Sequence, residues 1–155
     1  MTAVHLADFN IAKLLAPIDD PMIDDFRNNL EPLNRLAEES PGFVWRLQDD
    51  HGDATSFDPY GDGLTIVNLA VWETVQDLYH FTYRAPQHLG FLRRRREFFD
   101  PAVEPTLVLW WIPEGTLPTV EDGVERLAHL RANGPSQHAF DFRNRYEPDE
   151  LPEPV

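Results

Sequence analysis

Four short segments of the chain are rich in apolar and β-branched residues and are bounded by turn-forming residues, which predicts four β-strands. These segments cover residues 4–14, 43–48, 64–72 and 106–112. Apolar residues recur at helical spacing between the first and second strands, between the third and fourth, and again at 119–133. This order predicts an α+β fold on the ferredoxin-like βαββαβ plan. Its four-stranded antiparallel sheet has the first and third strands at the centre and is followed by a C-terminal helix.

Prolines and capping residues indicate where the helices begin, bend and end. Pro32 falls inside the first helical region and predicts a bend there, because its ring cannot take part in the normal hydrogen-bond ladder. Thr74 and Thr119 are expected to cap the second and last helical regions. The Ala85-Pro86 dipeptide interrupts the second helical region, because the residue before a proline disfavours helical backbone angles. A further helix is expected to run from there to Phe99.

Both faces of the predicted sheet are apolar. In the third strand, both alternating sets of positions are mainly apolar: Thr65, Val67, Leu69 and Val71 on one side, and Leu64, Ile66, Asn68, Ala70 and Trp72 on the other. A sheet with one face in water alternates apolar and polar residues, so both faces are expected to be buried. The connecting helices cover one face. A second subunit, which we favour, or the helix at 119–133 with the following tail must cover the other.

Length and composition fit one packed domain. The chain has 155 residues, 42% of them apolar, and we expect a domain at 1–140 and an acidic, proline-rich tail at 141–155 that is loosely ordered from Phe142 onward. There is no run of 18 apolar residues and no signal-peptide pattern, so we expect a cytoplasmic protein without membrane contact. The absence of cysteine excludes disulfides, thiolate metal sites and cysteine nucleophiles.

The charge balance argues against nucleic acid as a partner. The chain carries 27 acidic and 13 basic residues, for a formal net charge of -14. An electric field of that sign repels phosphate backbones. The one strongly basic segment is the run of four arginines at 93–96.

Several short motifs together carry a family resemblance. They lie at residues 42–49 with 52–55, 71–73, 91–97, 110–113, 118–119 and 125–135. With these motifs the chain resembles an uncharacterised bacterial family catalogued as domain of unknown function 3291, over nearly all of residues 4–142. The resemblance implies the dimeric α+β barrel superfamily, which is antibiotic-biosynthesis-monooxygenase-like, and therefore a homodimer. It supplies no catalytic residues.

The helix expected at 88–99 presents two polar residues among apolar ones. Placed at about 100° per residue, His88 and Arg95 fall on the same side as Phe91. A buried guanidinium needs a partner, and this partner is either a ligand carboxylate or phosphate or an internal acid. The candidate acids are Asp8, Glu73 and Glu104. His88 is either a core or interface histidine bonded to a backbone carbonyl, or a general base or haem ligand.

Two amides interrupt the apolar central strands. Asn10 and Asn68 must be hydrogen-bonded if they are buried, either to each other or to water. Alternatively, they line a pocket with Trp72 and offer polar groups in an apolar cavity. Arg46 is expected at the rim of such a pocket, shared with Gln48.

Large aromatic residues complete the candidate ligand-binding set. Phe91 and Trp45 are included in it, although core packing is the default interpretation for Trp45, as it is for Trp110 and Trp111. The loop at 49–53 contains three aspartates and a histidine, but its spacing does not match a calcium loop, and no metal site is expected.

These residues support a small-molecule-binding dimer that acts as a cofactor-independent, monooxygenase-like enzyme on an aromatic or anionic metabolite. His88, Arg95 and Asn68 are the candidate catalytic residues, while Asn10, Arg46, Trp72, Phe91 and Trp45 are the candidate ligand contacts. No cofactor is expected. The alternatives are a haem-binding or haem-degrading protein, with His88 as the axial ligand, and a non-catalytic structural dimer.

Overall fold

The computed structural model describes residues 3–50 and 52–148. Its four strands are β1 (Val4–Lys13), β2 (Phe43–Arg46), β3 (Thr65–Trp72) and β4 (Leu107–Pro113). They form one antiparallel sheet in the order β2-β3-β1-β4. The ferredoxin-like plan is therefore confirmed, with β1 and β3 at the centre as predicted from the order of the elements.

Six α-helices connect and cover the strands. They are α1 (Asp24–Asn28), α2 (Leu30–Glu38), α3 (Val75–Arg84), α4 (Pro86–Arg93), α5 (Arg95–Phe98) and α6 (Val120–Asn133). Within the described residues, no helix is both long enough and apolar enough to cross a membrane.

The helices begin and break where the sequence indicated. Thr119 and Asp122 form a complete capping box at the start of α6, and the Thr74 side chain accepts a hydrogen bond from the Asp77 amide at the start of α3. The first helical region breaks at Asn29 and resumes with Pro32 in the first turn of α2. A proline is tolerated in a first turn because the amide it lacks has no intrahelical partner there.

The face of the sheet that carries Ala7 and Phe9 of β1 is covered by α6, and we call it the α6-covered face. Leu127 and Leu130 of α6 pack there against the sheet, together with Trp45 of β2. The chain thus covers its own second face. The apolar pattern on both sides of the sheet is accounted for within one subunit, and it no longer requires a partner.

The opposite face carries Leu6, Asp8 and Asn10 of β1 and is covered by α1 to α5, so we call it the helix-covered face. Two separate apolar clusters occupy it. One contains Leu6 and Trp72 with residues of α2 and α3, and the other contains Leu14, Ile23 and Phe98 with Ile66 and Phe91 at its margin. The two clusters lie toward opposite ends of the central strands.

The segment after α6 packs onto the sheet instead of lying loose. Phe140 pairs with Leu109 at the outer edge of β4, and Phe142 and Tyr146 pack against the cluster around Trp72. The Trp111 indole donates a hydrogen bond to the Tyr146 carbonyl at 2.7 Å. The prediction of a loosely ordered chain from Phe142 onward is therefore wrong for residues 142–148, while 149–155 lie outside the described residues.

The predicted inward orientation of Arg95 is also wrong. The helix expected at 88–99 ends at Arg93, and the short α5 begins at Arg95, so positions before and after Arg94 do not share one helical wheel. Arg95 is exposed and donates to the Leu92 carbonyl at 2.8 Å. Arg94 is the half-buried arginine, and it forms ion pairs with Asp25 and Glu97.

The position of α6 depends on Gly123. This glycine is buried, and a Cβ built on it would overlap the ring of Phe9, which is fully buried in the sheet. Gly90 in α4 has no atom within 4 Å of the equivalent Cβ position. The two glycines therefore form a matched pair of helical sites, one in close contact and one open.

We expect Gly123→Ala to lower the free energy of unfolding by about 1–3 kcal/mol through overpacking, despite the helix propensity of alanine. Gly90→Ala is the control, and we expect it to raise the free energy of unfolding by up to about 1 kcal/mol. Urea denaturation followed by circular dichroism measures both. If the two substitutions have the same effect, α6 does not pack on Phe9.

Candidate functional site

The two amides named from the sequence face each other across the central strands. Asn10 of β1 pairs directly with Asn68 of β3, and both side chains point to the helix-covered face. Ile66, on one side of Asn68 along β3, belongs to one apolar cluster, and Ala70, on the other side, belongs to the second. The Asn10–Asn68 pair therefore lies at a polar gap between the two clusters.

The helices leave the sheet open at this gap. Asn68 is exposed although its neighbours on the same face of β3, Ala70 and Trp72, are buried. Its carboxamide makes no hydrogen bond within the described part of the chain. Solvent or a small molecule therefore has access to a free amide on an otherwise covered sheet.

Asp8 lies next to this amide pair and was not among the candidate catalytic or ligand-binding residues named from the sequence. It is 2% exposed and is the one charged residue that is fully buried among those the structure describes. Asn10 Nδ2 donates to Asp8 Oδ1 at 3.2 Å. Burial raises the pKa of Asp8 to about 7, and the hydrogen bond from Asn10 opposes this rise.

Trp72 forms the apolar wall beside Asp8. It pairs with Leu6 on the rung next to Asp8, is 1% exposed, and is packed by the rings of Phe43 and Phe81, each 5.5 Å away between centroids. Its indole Nε1 is buried without a hydrogen-bond partner among the described residues. Trp72 thus contributes both apolar area and an unused donor.

Arg46 shares a rung of the sheet with Asp8. Both pair with Ala70, Arg46 from β2 and Asp8 from β1. The Arg46 guanidinium donates to the Gly52 carbonyl at 2.7 Å and lies 3.6 Å from Glu38. Its side chain is 11% exposed, and its Nε is a second buried donor without a partner in the described chain.

His88 lies on α4 and reaches this region through Phe81. The two rings are 4.8 Å apart, and Phe81 stacks on Trp72. His88 Nδ1 lies 2.8 Å from the Thr82 carbonyl, so Nδ1 carries the proton and Nε2 is the acceptor. Burial lowers the pKa of His88, with the bond to Thr82 opposing, so the ring is neutral at neutral pH.

A surface groove of about 660 Å³ lies between α1–α2 and α4. Phe91, a candidate ligand contact, lies in its wall together with Leu33 and Leu36. No sheet residue lines the groove. Phe91 also packs in the apolar cluster that includes Ile66, one rung from Asn68, so this wall of the groove adjoins the polar gap.

One candidate contact lies elsewhere. Trp45 pairs with Val71 and packs on the α6-covered face, because the strand pairing of β2 shifts between Phe43 and Trp45. Trp45 therefore lies on the opposite face of the sheet from the Asn10–Asn68 pair and packs against the core, as the default interpretation of this residue has it. Trp110 and Trp111 are buried core residues as well.

The structure does not favour a haem site. The sequence hypothesis joined His88 as the axial ligand to Arg95 beside a propionate, but Arg95 is exposed and bonded to its own helix region. Metal binding has no geometric support either. Among the described residues, no three histidine, aspartate or glutamate side chains are grouped so that they could hold an ion.

One feature of the sequence could have identified Asp8 as a member of the candidate site. It is an acid at a covered position of a central strand, two residues from Asn10 and with the same orientation. From the sequence, Asp8 was named only as a possible partner for Arg95. Because Arg95 is exposed, Asp8 is left without that cation.

The raised pKa makes Asp8 a pH-dependent destabilising group. Below about pH 3 the carboxyl is protonated in both the folded and the unfolded chain, so its pKa difference does not affect stability. As the pH rises to about 7, the unfolded chain loses this proton more readily, so folded stability falls. The full difference is roughly 4 kcal/mol at most.

We therefore expect Asp8→Asn to stabilise the protein above pH 7 and to have little effect near pH 4. The measurement is the free energy of unfolding of both proteins in urea across this pH range. Asp100→Asn, which removes an acid at an exposed site, is the control. An Asp8→Asn effect that is constant with pH would contradict the raised pKa.

Comparison with known proteins supports the family and the fold. The model of the family described as a domain of unknown function, DUF3291, matches residues 5–154. No curated protein matches the sequence significantly. Among solved structures, the chain is similar to SnoaB, a cofactor-independent oxygenase from Streptomyces nogalater. The identity is 16%, the TM-score is 0.50, and the match covers 76% of this chain and all of SnoaB.

At this identity the likeness to SnoaB shows the fold alone, and it agrees with the fold class that the sequence motifs implied. The match to the family model spans almost the whole sequence, including every element of the sheet and the C-terminal helix α6. The chain therefore belongs to the DUF3291 family.

Proposed function

We propose that this protein binds a small aromatic molecule over the Asn10–Asn68 pair and oxygenates it without a bound cofactor. The observation that carries the proposal is the polar gap itself, an exposed amide on a covered sheet face between two apolar clusters. Ligand sites in proteins combine an apolar lining with a few polar groups in this way. SnoaB, which has a similar fold, is a cofactor-independent oxygenase, and this supports the type of reaction.

The chemistry requires an electron-rich substrate. When a methylene group becomes a carbonyl, the carbon loses two C–H bonds and four electrons, and O₂ takes up those electrons. One oxygen atom enters the product and the other leaves as water. The protein then needs to orient the substrate, exclude water and stabilise negative charge that develops on it.

The side chains at the gap match these tasks. The Asn68 carboxamide is free to donate a hydrogen bond to an oxygen of the substrate, and Asn10 retains one amide hydrogen beyond its bond to Asp8. Trp72 is itself buried, and the partly buried rings of Phe43 and Phe81 that pack on it supply the apolar margin of the proposed site. We propose that the groove beside Phe91 is the approach to this site.

His88 remains a candidate general base. Its neutral ring has a free acceptor at Nε2, and it contacts Phe81, which packs on Trp72. Arg95 has weaker support, because its guanidinium is exposed and bonded to Leu92. We therefore give Asn68 the principal catalytic role among the three residues named from the sequence.

The test is oxygen uptake with 1,8-dihydroxyanthrone, an electron-rich aromatic probe with a reactive methylene group. We expect the wild-type protein to consume oxygen and Asn68→Ala to lower kcat/KM by about 10²-fold, because a donor to developing charge is lost. Asn133→Ala, at an exposed site at the end of α6, should retain full activity. Binding of the probe without uptake would favour the alternative of a non-catalytic binding dimer.

The homodimer is a separate proposal. Its support is the implied membership of the dimeric α+β barrel superfamily, and the apolar α6-covered face does not add to it. We expect multi-angle light scattering to give twice the mass of one chain. A single-chain mass at micromolar concentration would contradict the proposal without affecting the Asn10–Asn68 site.

A further inference from the structure

We propose that the groove between α1–α2 and α4 is itself a binding site, and that it holds a flat, uncharged aromatic molecule with oxygen substituents at both ends. The inference rests on the proposed function for the class of molecule and for the choice of probe. It does not depend on turnover, so binding at the groove can be measured apart from oxygenation. Three features carry it: apolar walls outside the core, an open glycine in one wall, and free amides toward the two ends.

The groove has apolar walls that the core does not use. Leu33 and Leu36 of α2 line one wall and are half-buried, and among the described residues neither belongs to any of the three apolar clusters. Phe91 lines the wall formed by α4. The volume of about 660 Å³ is in the range of sites for one small molecule. A flat ring between these walls would therefore remove apolar surface of both leucines from water.

Gly90 lies in the α4 wall and leaves space for such a ring. A glycine inside a helix is less favourable than alanine, and the close approach of another group is one reason for its presence. Gly123 has this reason in its contact with Phe9, whereas the Cβ position of Gly90 has no atom within 4 Å. No packing within the described chain therefore accounts for the glycine at 90. A ligand lying against the α4 backbone accounts for it, because alanine would place a methyl group in the groove.

Free amide side chains lie toward the two ends of the groove. Asn28 and Gln87 both line it, and neither makes a side-chain hydrogen bond within the described part of the chain. Gln87 is in the first turn of α4, while Arg94 caps the last turn and reaches Asp25 of α1, so that Asn28 lies toward the Arg94 end. The 8 residues of α4 span roughly 12 Å, which is about the length of three fused aromatic rings. A ring system of this length can accept a hydrogen bond from an amide at each end.

The charges at the groove select an uncharged ligand. Both arginines in its lining already have acidic partners: Arg94 pairs with Asp25 and Glu97, and Arg35 pairs with Glu31. Glu39, also in the lining, pairs with no cation among the described residues, and with a net charge of -14 on the chain it disfavours an anion. A single exposed carboxylate adds little to the binding of a cation. The free amides bind neutral carbonyl and hydroxyl oxygens.

The size of the groove favours a small molecule over a second copy of the chain. A stable subunit contact buries roughly 800 Å² on each partner. A groove of about 660 Å³ encloses one small ligand but offers only part of such a contact surface. A subunit bound here would need further contacts outside the groove.

The first experiment measures binding of 1,8-dihydroxyanthraquinone, which is flat and neutral and has no methylene group left to oxygenate. We expect Gly90→Ala to bind this probe about tenfold more weakly than the wild-type protein, because the added methyl group occupies the space of the ring. The same substitution should raise the urea midpoint of unfolding, since alanine favours the helix. Equilibrium dialysis and urea denaturation measure the two effects.

Arg93→Ala is the control, because Arg93 is exposed on α4 and does not line the groove. It should bind the probe as the wild-type protein does. Weaker binding by a more stable protein is not expected of a glycine with a purely structural role. Unchanged affinity in Gly90→Ala overturns the proposal.

The sulfonated derivative of the same quinone tests the charge of the ligand. We expect it to bind more weakly than the neutral probe, because both arginines of the lining are already paired and Glu39 repels the sulfonate. Equal or tighter binding of the sulfonate overturns the assignment of an uncharged ligand.

Single cysteines locate the bound probe, because the chain contains none of its own. Glu39→Cys places a thiol in the lining of the groove, and Arg93→Cys places one outside it. We expect saturating quinone to slow the reaction of Glu39→Cys with N-ethylmaleimide and to leave Arg93→Cys unaffected, as followed by mass spectrometry. Equal rates with and without the quinone place the ligand elsewhere and overturn the proposal. Protection of Glu39→Cys that rises with protein concentration alone assigns the groove to a second copy and also overturns it.

The groove site and the proposed function fail differently. Oxygen uptake with the anthrone but no quinone binding at the groove overturns this site and leaves the Asn10–Asn68 site intact. Quinone binding at the groove without oxygen uptake by the wild-type protein contradicts the proposed reaction and supports the groove site.

Discussion

The contact between the backbone of α6 at Gly123 and the ring of Phe9 determines how this chain is built. It lets a helix lie directly on the centre of the sheet, so that one subunit covers the face that a partner was expected to cover. β1 then lies between two covered faces, with Phe9 on one and Asp8 on the other. Close packing on the first side fixes the strand that holds the buried acid on the second side.

On the helix-covered face, the helices form two apolar clusters instead of one continuous layer. The polar residues Asp8, Asn10 and Asn68 occupy the interval between them, where an apolar residue would have joined the clusters into one core. A continuous core would be more stable. The chain instead carries an exposed amide, a perturbed acid and two unused donors in one small region, and the proposed function rests on this composition.

Most of the fold could be predicted from the sequence, because strand alternation and helix caps are local signals. The cap at Thr119 and the order of the strands are examples. The polar gap was found in part, since Asn10 and Asn68 interrupt apolar strands visibly. The orientation of Arg95 was predicted wrongly because the helix breaks for one residue at Arg94, so the positions on either side do not follow one helical spacing. The face on which Trp45 lies was not predictable either, because a shift in the strand pairing turns this residue to the other side of the sheet. Neither irregularity has a local signal in the sequence.

The pairing of Phe140 with Leu109 has a consequence for the behaviour of the protein in crowded solution. The backbone of Phe140 hydrogen-bonds to the middle of the outer edge of β4. A strand from another molecule therefore cannot extend the sheet there without displacing the segment around Phe140. The opposite edge, β2, is only four residues long and has an irregular register. Short and irregular edges are poor templates for strand addition. Together with a net charge of -14, these edges protect the molecule from fibrous aggregation despite its strongly apolar strands.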